Sequence, residues 1–484
     1  MSASVPVIWM NVTTSANWRR PPVGIVRVEQ SLCIELAKLY GERFKQCVWQ
    51  EGQFIEWVPQ PVNQENSLHS SNMVHESINL SQKFQPIFPL LSRPQALAAV
   101  AQGVLSLVPD KVRPFVNRLF YKLRPHIARI VFTNSSLKIF TRRKIKNLTS
   151  VNSSSCIASR EKEYSKTFNS GDVLISLGLD WNQNFYKEFY HMRKQQGIRV
   201  VTCCYDLIPV IYPQYCVGEV AGIFTSYFLD VADASDLVLC ISKQTEKDFL
   251  EMLARTGGAT PMTHVFPLGD NVPLMNMEKI SAVVKNICKE PFILFVSTIE
   301  RRKNHEVLYR AYHLLCSEGK RSQLPKLVFV GMQGWGVGDL LNDIELDPLT
   351  CDMIVKLNHV TDAELRSLYE TAKFCVFPSL YEGWGLPVGE ALALGKAVLS
   401  SDRGSLPEVG GNLAHYVDPW SPRAWADEIY KMTTNDAWRT EWEQKTKSEY
   451  RMRTWAGAAG SIQEAVDTML NFVDSSSTDM QITP

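Results

Sequence analysis

Short apolar runs in the second half of the chain constrain its fold more than any other feature. They cover residues 292–297, 326–331, 353–357, 374–377 and 396–400, and stretches of helical pattern alternate with them. Runs this short and this apolar are typical of parallel strands that are buried on both faces. Strands that alternate with helices in this way predict a doubly wound α/β sheet.

The first half of the chain shows the same alternation. Strands are predicted at residues 5–10, 172–177, 198–205, 237–241 and 265–269, and helices are predicted from near Gly24 and over 182–196. A chain of 484 residues is long enough for two such domains. The hydrophobic content of 45% and the charged content of 21% are ordinary for a soluble globular protein.

Two glutamates frame the most informative stretch, at residues 377–411. Glu382 follows the apolar run 374–377, Glu390 opens a helical run, and the turn between them contains Gly-Trp-Gly-Leu-Pro. Glycine lets the backbone approach a ligand closely, and Pro387 just inside the helix leaves helix-start amides directed at the same space. An α/β sheet binds its ligands at this edge. The arrangement therefore suits a phosphorylated, hydroxyl-rich small molecule.

Charged residues follow two other predicted strands. Arg302 and Lys303 combine a bidentate fork with a point charge, which suits a diphosphate; an exposed basic cluster is the alternative. Asp206 could orient an acceptor hydroxyl or stabilise developing positive charge, or it could cap the turn before Leu207. Ser242 could be a helix N-cap or a phosphate contact, and capping is the preferred interpretation.

Together these motifs resemble the glutamate-x7-glutamate pattern of retaining glycosyltransferases with the GT-B architecture, in the GT4-like family (glycosyltransferase group 1). The resemblance covers about 1–45 and 171–470, and the segments FNSGDVLISLGLDWNQNF and VVTCCYDLIPVIYP resemble a subgroup that builds bacterial surface polysaccharides. It implies an α/β fold of two facing Rossmann-like, doubly wound domains with an interdomain cleft. It implies an acceptor domain at 1–275 with a basic insertion near 60–170, a nucleotide-sugar-binding domain at 276–450, and at 451–484 a helix packing back on the first domain, followed by a tail.

The resemblance also assigns roles to individual residues. It implies that Glu382 and Asp206 are catalytic. The donor-binding residues it implies are Arg302, Lys303, Glu390, Trp384, Gly385, Leu386, His359, Val360 and Gly24, of which Trp384 and His359 would tune donor choice. The chain departs from the family at Tyr205, where a His is common, and at His359, where Gly is frequent. Because there is no Asp-x-Asp motif, no metal and no cofactor are predicted beyond the donor itself.

The predicted function is retaining transfer of a sugar from a GDP- or UDP-sugar to a glycan or lipid-linked acceptor, in the synthesis of O-antigen or capsule. Mannose is the preferred sugar. A sugar-nucleotide epimerase of the same fold and a non-catalytic assembly subunit are the alternatives. The second is disfavoured by the presence of Glu382, Glu390, Arg302 and Lys303.

The remaining features concern location. Residues 111–146 carry many Lys and Arg and no acidic residue, which fits contact with an anionic membrane or a solvated face. With a formal net charge of +1 and no recognition motif, nucleic acid is not an expected partner. Eleven cysteines without a C-x-x-C pair, among them the adjacent Cys203 and Cys204 in an apolar run, indicate free thiols in a reducing compartment. No signal peptide is recognised, so the expected location is cytoplasmic or peripheral on the inner face of the cell membrane.

Overall fold

Two parallel sheets organise the part of the chain that the computed structural model describes, which is residues 5–19, 24–58, 167–182, 186–216, 220–271 and 280–478. Both sheets, apart from the last two residues of strand Gln53–Trp57, belong to one unit formed by Met1–Ile55, Ser165–Glu251 and Ala259–Pro484. A second unit is formed by Glu56–Tyr164 and Met252–Gly258. The basic segment 111–146 lies outside the described residues.

The first sheet has the strand order β3-β2-β1-β4-β5-β6-β7 in the described chain. Its strands are β1 (Ile8–Asn11), β2 (Phe44–Gln50), β3 (Gln53–Trp57), β4 (Val173–Ser176), β5 (Arg199–Cys204), β6 (Leu237–Cys240) and β7 (Met262–Val265). The helices that accompany it are α1 (Thr13–Asn17), α2 (Ile25–Tyr40), α3 (Tyr186–His191), α4 (Ile208–Ile211), α5 (Val220–Ala234) and α6 (Lys243–Thr256). We call this sheet and its helices the N-lobe.

The second sheet has the order β10-β9-β8-β11-β12-β13. Its strands are β8 (Phe292–Val296), β9 (Lys326–Val330), β10 (Ile354–Leu357), β11 (Phe374–Phe377), β12 (Val398–Ser400) and β13 (His415–Tyr416). The helices are α7 (Ala282–Ile287), α8 (His305–Ser317), α9 (Gly338–Leu346), α10 (Asp362–Thr371), α11 (Leu386–Ala393), α12 (Leu406–Gly410), α13 (Pro422–Thr434), α14 (Asp436–Glu449) and α15 (Trp455–Thr478). We call this sheet with α7 to α14 the C-lobe.

Burial on both faces explains why the strands were predictable. Every residue of β1, β4, β6 and β11 is buried, as expected for parallel strands covered by helices on each side. The recorded pairings of β1 with β2 and β4, and of β8 with β9 and β11, are parallel. Cys203 and Cys204 are buried free thiols, which confirms the interpretation from sequence.

The strand predicted at 265–269 begins three residues earlier in the structure. The strand is Met262–Val265, and it pairs with β6 from Leu237 opposite Met262. Two residues after β7, Pro267 has no N–H to donate to a ladder, so the pairing cannot continue. The helix predicted at 182–196 is divided into α3 and a π-helical turn, Met192–Gln196.

The last helix returns to the N-lobe. Helix α15 packs against α2, and its Trp455 lies against Gly269, where an added Cβ would be 2.7 Å from the indole ring. The chain therefore crosses between the lobes twice, once near Asn271 and once before Trp455. Among the described residues, no helix combines the length and hydropathy that a bilayer crossing requires.

Candidate active site

Two partly buried cations meet a carboxylate where two neighbouring strands of the C-lobe end. Arg302 and Lys303 lie in a short 3₁₀ turn after β8, and Glu382 follows β11, which is the neighbour of β8 in the sheet. Arg302 Nη1 donates to Glu382 Oε2 at 2.7 Å, and Lys303 Nζ donates to Glu382 Oε1 at 2.6 Å. The hydroxyl of Ser379 adds a third hydrogen bond to this carboxylate, at 2.7 Å. The prediction of an exposed basic cluster is therefore excluded.

The protonation states of this cluster follow from burial and close charge. Burial disfavours the Glu382 carboxylate, but Arg302 and Lys303 outweigh it and lower the pKa of Glu382 to about 2. Burial also opposes the charge on Arg302, yet Glu382 and Glu300 raise its pKa. For Lys303, burial and the adjacent Arg302 dominate, and they lower its pKa in spite of Glu382. Glu382 therefore stays ionised in a site whose charged side chains are only 11–16% exposed, where electrostatic interactions are stronger than in bulk water.

Asp206 of the N-lobe lies close to this cluster. It follows β5, its Oδ1 accepts from the Ile208 N–H at 3.0 Å, and burial raises its pKa against the opposing charge of Arg302. The lobes touch here, because a Cβ added to Gly383 would lie 2.8 Å from Asp206 Cβ and 2.3 Å from the Tyr205 carbonyl oxygen. Asp206 thus caps its turn, as the alternative interpretation stated, and also faces the cations.

Glu390 is the fifth residue of α11 and contacts the N-lobe. Its Oε1 accepts from Arg27 Nη1 at 2.9 Å and its Oε2 accepts from the Tyr369 hydroxyl at 3.0 Å. Gly24 precedes Arg27 as the N-cap of α2, with φ of 52°, a backbone conformation that favours glycine. The structure therefore places the start of α2 opposite the second glutamate of the motif.

The turn between the two glutamates combines a glycine at the helix start with a buried tryptophan. Gly385 caps α11 with φ of 114°, and the Val388 N–H donates to the Gly385 carbonyl at 3.0 Å. In the first turn of α11 Pro387 has no N–H, and the Val388 N–H is already used. Among the described residues the Leu386 N–H has no acceptor, so it is free to bind a ligand. Trp384 is buried, with the Arg453 guanidinium 5.4 Å from its ring.

His359 and Val360 lie in the loop between β10 and α10. His359 is exposed with φ of 58°, which fits a position where a glycine would be unstrained. The loop ends in a capping box of Thr361 and Glu364, whose carboxylate also accepts from the Ser281 N–H at 2.9 Å. No contact of His359 with the cation cluster is recorded in the described chain.

Ser242 is a capping residue, as preferred from sequence. Its hydroxyl oxygen accepts from the Thr245 N–H at 3.0 Å at the start of α6. The Lys243 and Gln244 amides at the same start donate to Glu408 of the C-lobe, both at 2.8 Å. This helix start is therefore occupied by a side chain of the other lobe.

Sequence reasoning missed two residues of the site. Glu300 pairs with Arg302 Nη2 at 2.8 Å. The feature of the sequence that could have identified Glu300 is its position two residues before Arg302. Arg27 was not among the expected site residues, although Gly24 three residues before it was, and it pairs with Glu390 at 2.9 Å. Its closeness to Gly24 in the sequence was the available signal, because 363 residues separate Arg27 from Glu390.

Comparison with known proteins agrees with this geometry. Residues 276–449 match the family described as Glycosyl transferases group 1. The O-antigen chain mannosyltransferase B of Escherichia coli is 29% identical over 242 residues, which are 50% of this chain and 63% of the relative. The serotype-specific mannosyltransferase WbdA of Escherichia coli is 27% identical over 267 residues, which are 54% of this chain and 32% of the relative. The alignments thus span less than two thirds of either relative.

A solved structure shares the fold. That of Alr3699/HepE from Anabaena in complex with UDP and glucose has a TM-score of 0.54 at 13% identity, and the match covers 96% of this chain and 100% of that one. Together with the two parallel sheets, this confirms the α/β prediction of a GT-B architecture. The chain carries a glycosyl transferases group 1 domain and is a homologue of the O-antigen mannosyltransferases of Escherichia coli.

Proposed function

We propose that this protein is a retaining glycosyltransferase that transfers a sugar from a GDP- or UDP-sugar to a glycan or lipid-linked acceptor. Mannose is the first candidate sugar, because the relatives are named mannosyltransferases. The observation that carries the proposal is the partly buried pair Arg302 and Lys303 beside Glu382, close to Asp206 of the other lobe.

The cations are suited to the departing diphosphate. Arg302 uses Nη1 for the Tyr381 carbonyl and Glu382, and Nη2 for Glu300. This leaves its Nε–H and one Nη2–H without an acceptor among the described residues, and Lys303 keeps two of its three ammonium hydrogens. Donors held in place before the bond breaks stabilise the charge that develops on the leaving group. They would do so without a metal ion.

Retention follows if the acceptor enters on the face from which the diphosphate leaves. The bond between the sugar C1 and the phosphate oxygen breaks while a bond from C1 to the acceptor oxygen forms. The leaving phosphate takes the acceptor proton, so atoms and charge balance. Asp206 and Glu382 would orient the acceptor and the sugar on either side of the reacting carbon, and the contact of the lobes at Gly383 would keep water away.

The biological setting is part of the proposal. The O-antigen relatives support a role in bacterial surface polysaccharide synthesis, with the protein at the cytoplasmic face of the membrane. The segment 111–146 would contribute cationic contact to anionic lipid.

The test is transfer itself. The purified chain is incubated with GDP-mannose, UDP-glucose or UDP-N-acetylglucosamine and a mannose oligosaccharide, with and without EDTA. The product is identified by mass spectrometry, and its anomeric configuration by NMR. We expect acceptor-dependent release of one nucleoside diphosphate, unaffected by EDTA, with the anomeric configuration of the donor retained. An altered sugar nucleotide formed without acceptor would instead support the epimerase alternative.

Matched variants separate catalysis from binding. Arg302→Gln is compared with Arg310→Gln, which removes an exposed arginine of α8 that pairs with Glu306. We expect Arg302→Gln to lower kcat by about two to three orders of magnitude, as for the loss of one oxyanion donor, and Arg310→Gln to leave it unchanged. Equal activity of the two variants, with both folded, would refute the assigned role.

A further inference from the structure

Arg27 joins the two lobes at the second glutamate of the motif. From the first turn of α2 its guanidinium donates through Nη1 to Glu390 Oε1 at 2.9 Å and through Nη2 to the Asn271 carbonyl at 3.1 Å. The side chains of Arg27 and Glu390 are 17% and 5% exposed. One side chain thus contacts the N-lobe, the C-lobe and the start of the connection between them.

The Glu390 carboxylate retains capacity for two more donors. An ionised carboxylate has about four acceptor positions. Arg27 occupies one on Oε1 and the Tyr369 hydroxyl occupies one on Oε2. One position on each oxygen is therefore left, within the described chain. This arrangement matches two adjacent hydroxyl groups of a single ligand, such as a ribose.

Glu390 needs a nearby cation to stay charged. Burial is the largest influence and raises its pKa, while Arg27 and the Tyr369 hydroxyl act in the opposite direction. Asp362 of α10 adds a smaller upward effect. From the other side Asp270 packs on Gly389, and Asp270 is itself hydrogen-bonded to Tyr450 and Arg453. Of these groups, Arg27 is the cation in direct contact with the Glu390 carboxylate.

We propose that Arg27 is a positioning residue of the donor site, which keeps Glu390 ionised and oriented so that its carboxylate accepts two vicinal hydroxyls of the nucleotide sugar. Because Arg27 belongs to the N-lobe and Glu390 to the C-lobe, the same contact couples binding of the donor to closure of the lobes. The inference rests on the proposed function, since it specifies how that site holds its donor.

The test uses the nucleoside diphosphate, UDP or GDP, that binds the full chain more tightly in isothermal titration calorimetry. The same diphosphate lacking its 2′ and 3′ hydroxyls is the second probe. In the wild type we expect loss of the hydroxyls to weaken binding about tenfold or more, as for hydrogen bonds to a charged group. In Arg27→Met we expect weak binding of both probes and a much smaller ratio between them. Lys38→Met, on an exposed side chain of the same helix, should behave as wild type.

The pH dependence gives an independent readout. Affinity should fall when Glu390 becomes protonated, and Arg27→Met should shift this acid limb to higher pH, because the cation that favours the carboxylate is gone. Arg27→Lys should restore the limb towards its wild-type position. The phosphate groups of the nucleotide also change protonation in this pH range. The quantity compared is therefore the difference between variants in the pH at which affinity falls. In the transfer assay the donor KM should rise more than kcat falls.

Distinct outcomes would overturn the inference. If Arg27→Met binds the diphosphate more tightly than wild type, Arg27 competes with the ligand for Glu390. If the hydroxyl ratio and the acid limb stay unchanged, Arg27 serves the fold alone. Thermal unfolding checks that each variant is folded, and Arg27→Lys is the alternative if Arg27→Met is not. If the wild type binds no nucleotide, the proposed function itself is at fault, which is a separate result.

Discussion

A buried carboxyl in α2 should make the stability of the protein pH-dependent. Glu29 on α2 is fully buried, and its Oε1 accepts from the Ser15 N–H at 2.7 Å and from the Ser15 hydroxyl. Its Oε2 has no hydrogen-bond partner among the described residues and lies against Gly178. Burial, the largest influence, raises the pKa of Glu29 from 4.5 to about 7.

The magnitude follows from linkage. Because the folded-state pKa is raised, the contribution of Glu29 to stability is fully present below pH 4.5 and is lost as the pH rises to about 7. A shift of this size corresponds to a loss of about 3 kcal/mol. The amide of Glu29→Gln keeps the shape and the acceptor for Ser15 but cannot ionise. We therefore expect Glu29→Gln to match the wild type near pH 4.5 and to exceed it by about 2–3 kcal/mol at pH 8.

Urea unfolding followed by tryptophan fluorescence at a series of pH values measures this difference. The matched control is Glu35→Gln, on the same helix, where the carboxylate pairs with exposed Lys38 and contributes a few tenths of a kcal/mol at most. A gain for Glu29→Gln that is the same at pH 5 and pH 8 would refute the reasoning. Asp180, whose pKa burial also raises to about 7, titrates in the same pH range in both proteins, so the difference between the wild type and Glu29→Gln is the quantity to compare.

Further predictions concern the contact between the lobes. Gly383→Ala would place a Cβ 2.3 Å from the Tyr205 carbonyl oxygen, so we expect loss of transfer activity with the fold retained. Activity and thermal unfolding are measured for this variant and for the control Gly460→Ala, where an added Cβ meets open space. Glu408→Gln loses the charge and one of two amide acceptors at the start of α6, so unfolding in urea should show a loss of about 1 kcal/mol. Tyr381→Phe removes the hydroxyl that donates to Asp248, and proteolysis between the lobes should become faster; an unchanged rate would argue against this contact in solution.

Much of the C-lobe site could be predicted because its parts lie at the ends of neighbouring strands. Arg302 follows β8 and Glu382 follows β11, and parallel strands that are adjacent in a sheet bring their carboxyl ends together. These two strands were visible as apolar runs, since all residues of β11 and the first four of β8 are buried. The motif and the order of the strands are therefore enough to place these residues together, without knowledge of side-chain contacts.

Contacts between the lobes could not be predicted in the same way. The ion pair of Arg27 with Glu390 depends on how two sheets face one another, and sequence periodicity reports burial within each sheet alone. Glu29 did leave a signal, because it falls on the apolar face of α2 with Val28 and Leu32. A charged residue on a buried face is uncommon and indicates a special environment.

The counter-ion of the cation pair explains how the site can exist before its ligand arrives. Burying a cation without a partner costs several kcal/mol, so Arg302 and Lys303 need carboxylates within contact distance in the free protein. Glu382 and Glu300 meet this need, and together the four side chains carry no net charge. A diphosphate would then bind to N–H groups of Arg302 and Lys303 that are already oriented, in a site whose own charges are balanced. Removing the Glu382 side chain would leave Lys303 without its carboxylate partner and Arg302 with Glu300 alone. Glu382→Gln keeps the shape and one acceptor oxygen, so it separates the role of the charge from the role of the side chain in the fold better than Glu382→Ala does.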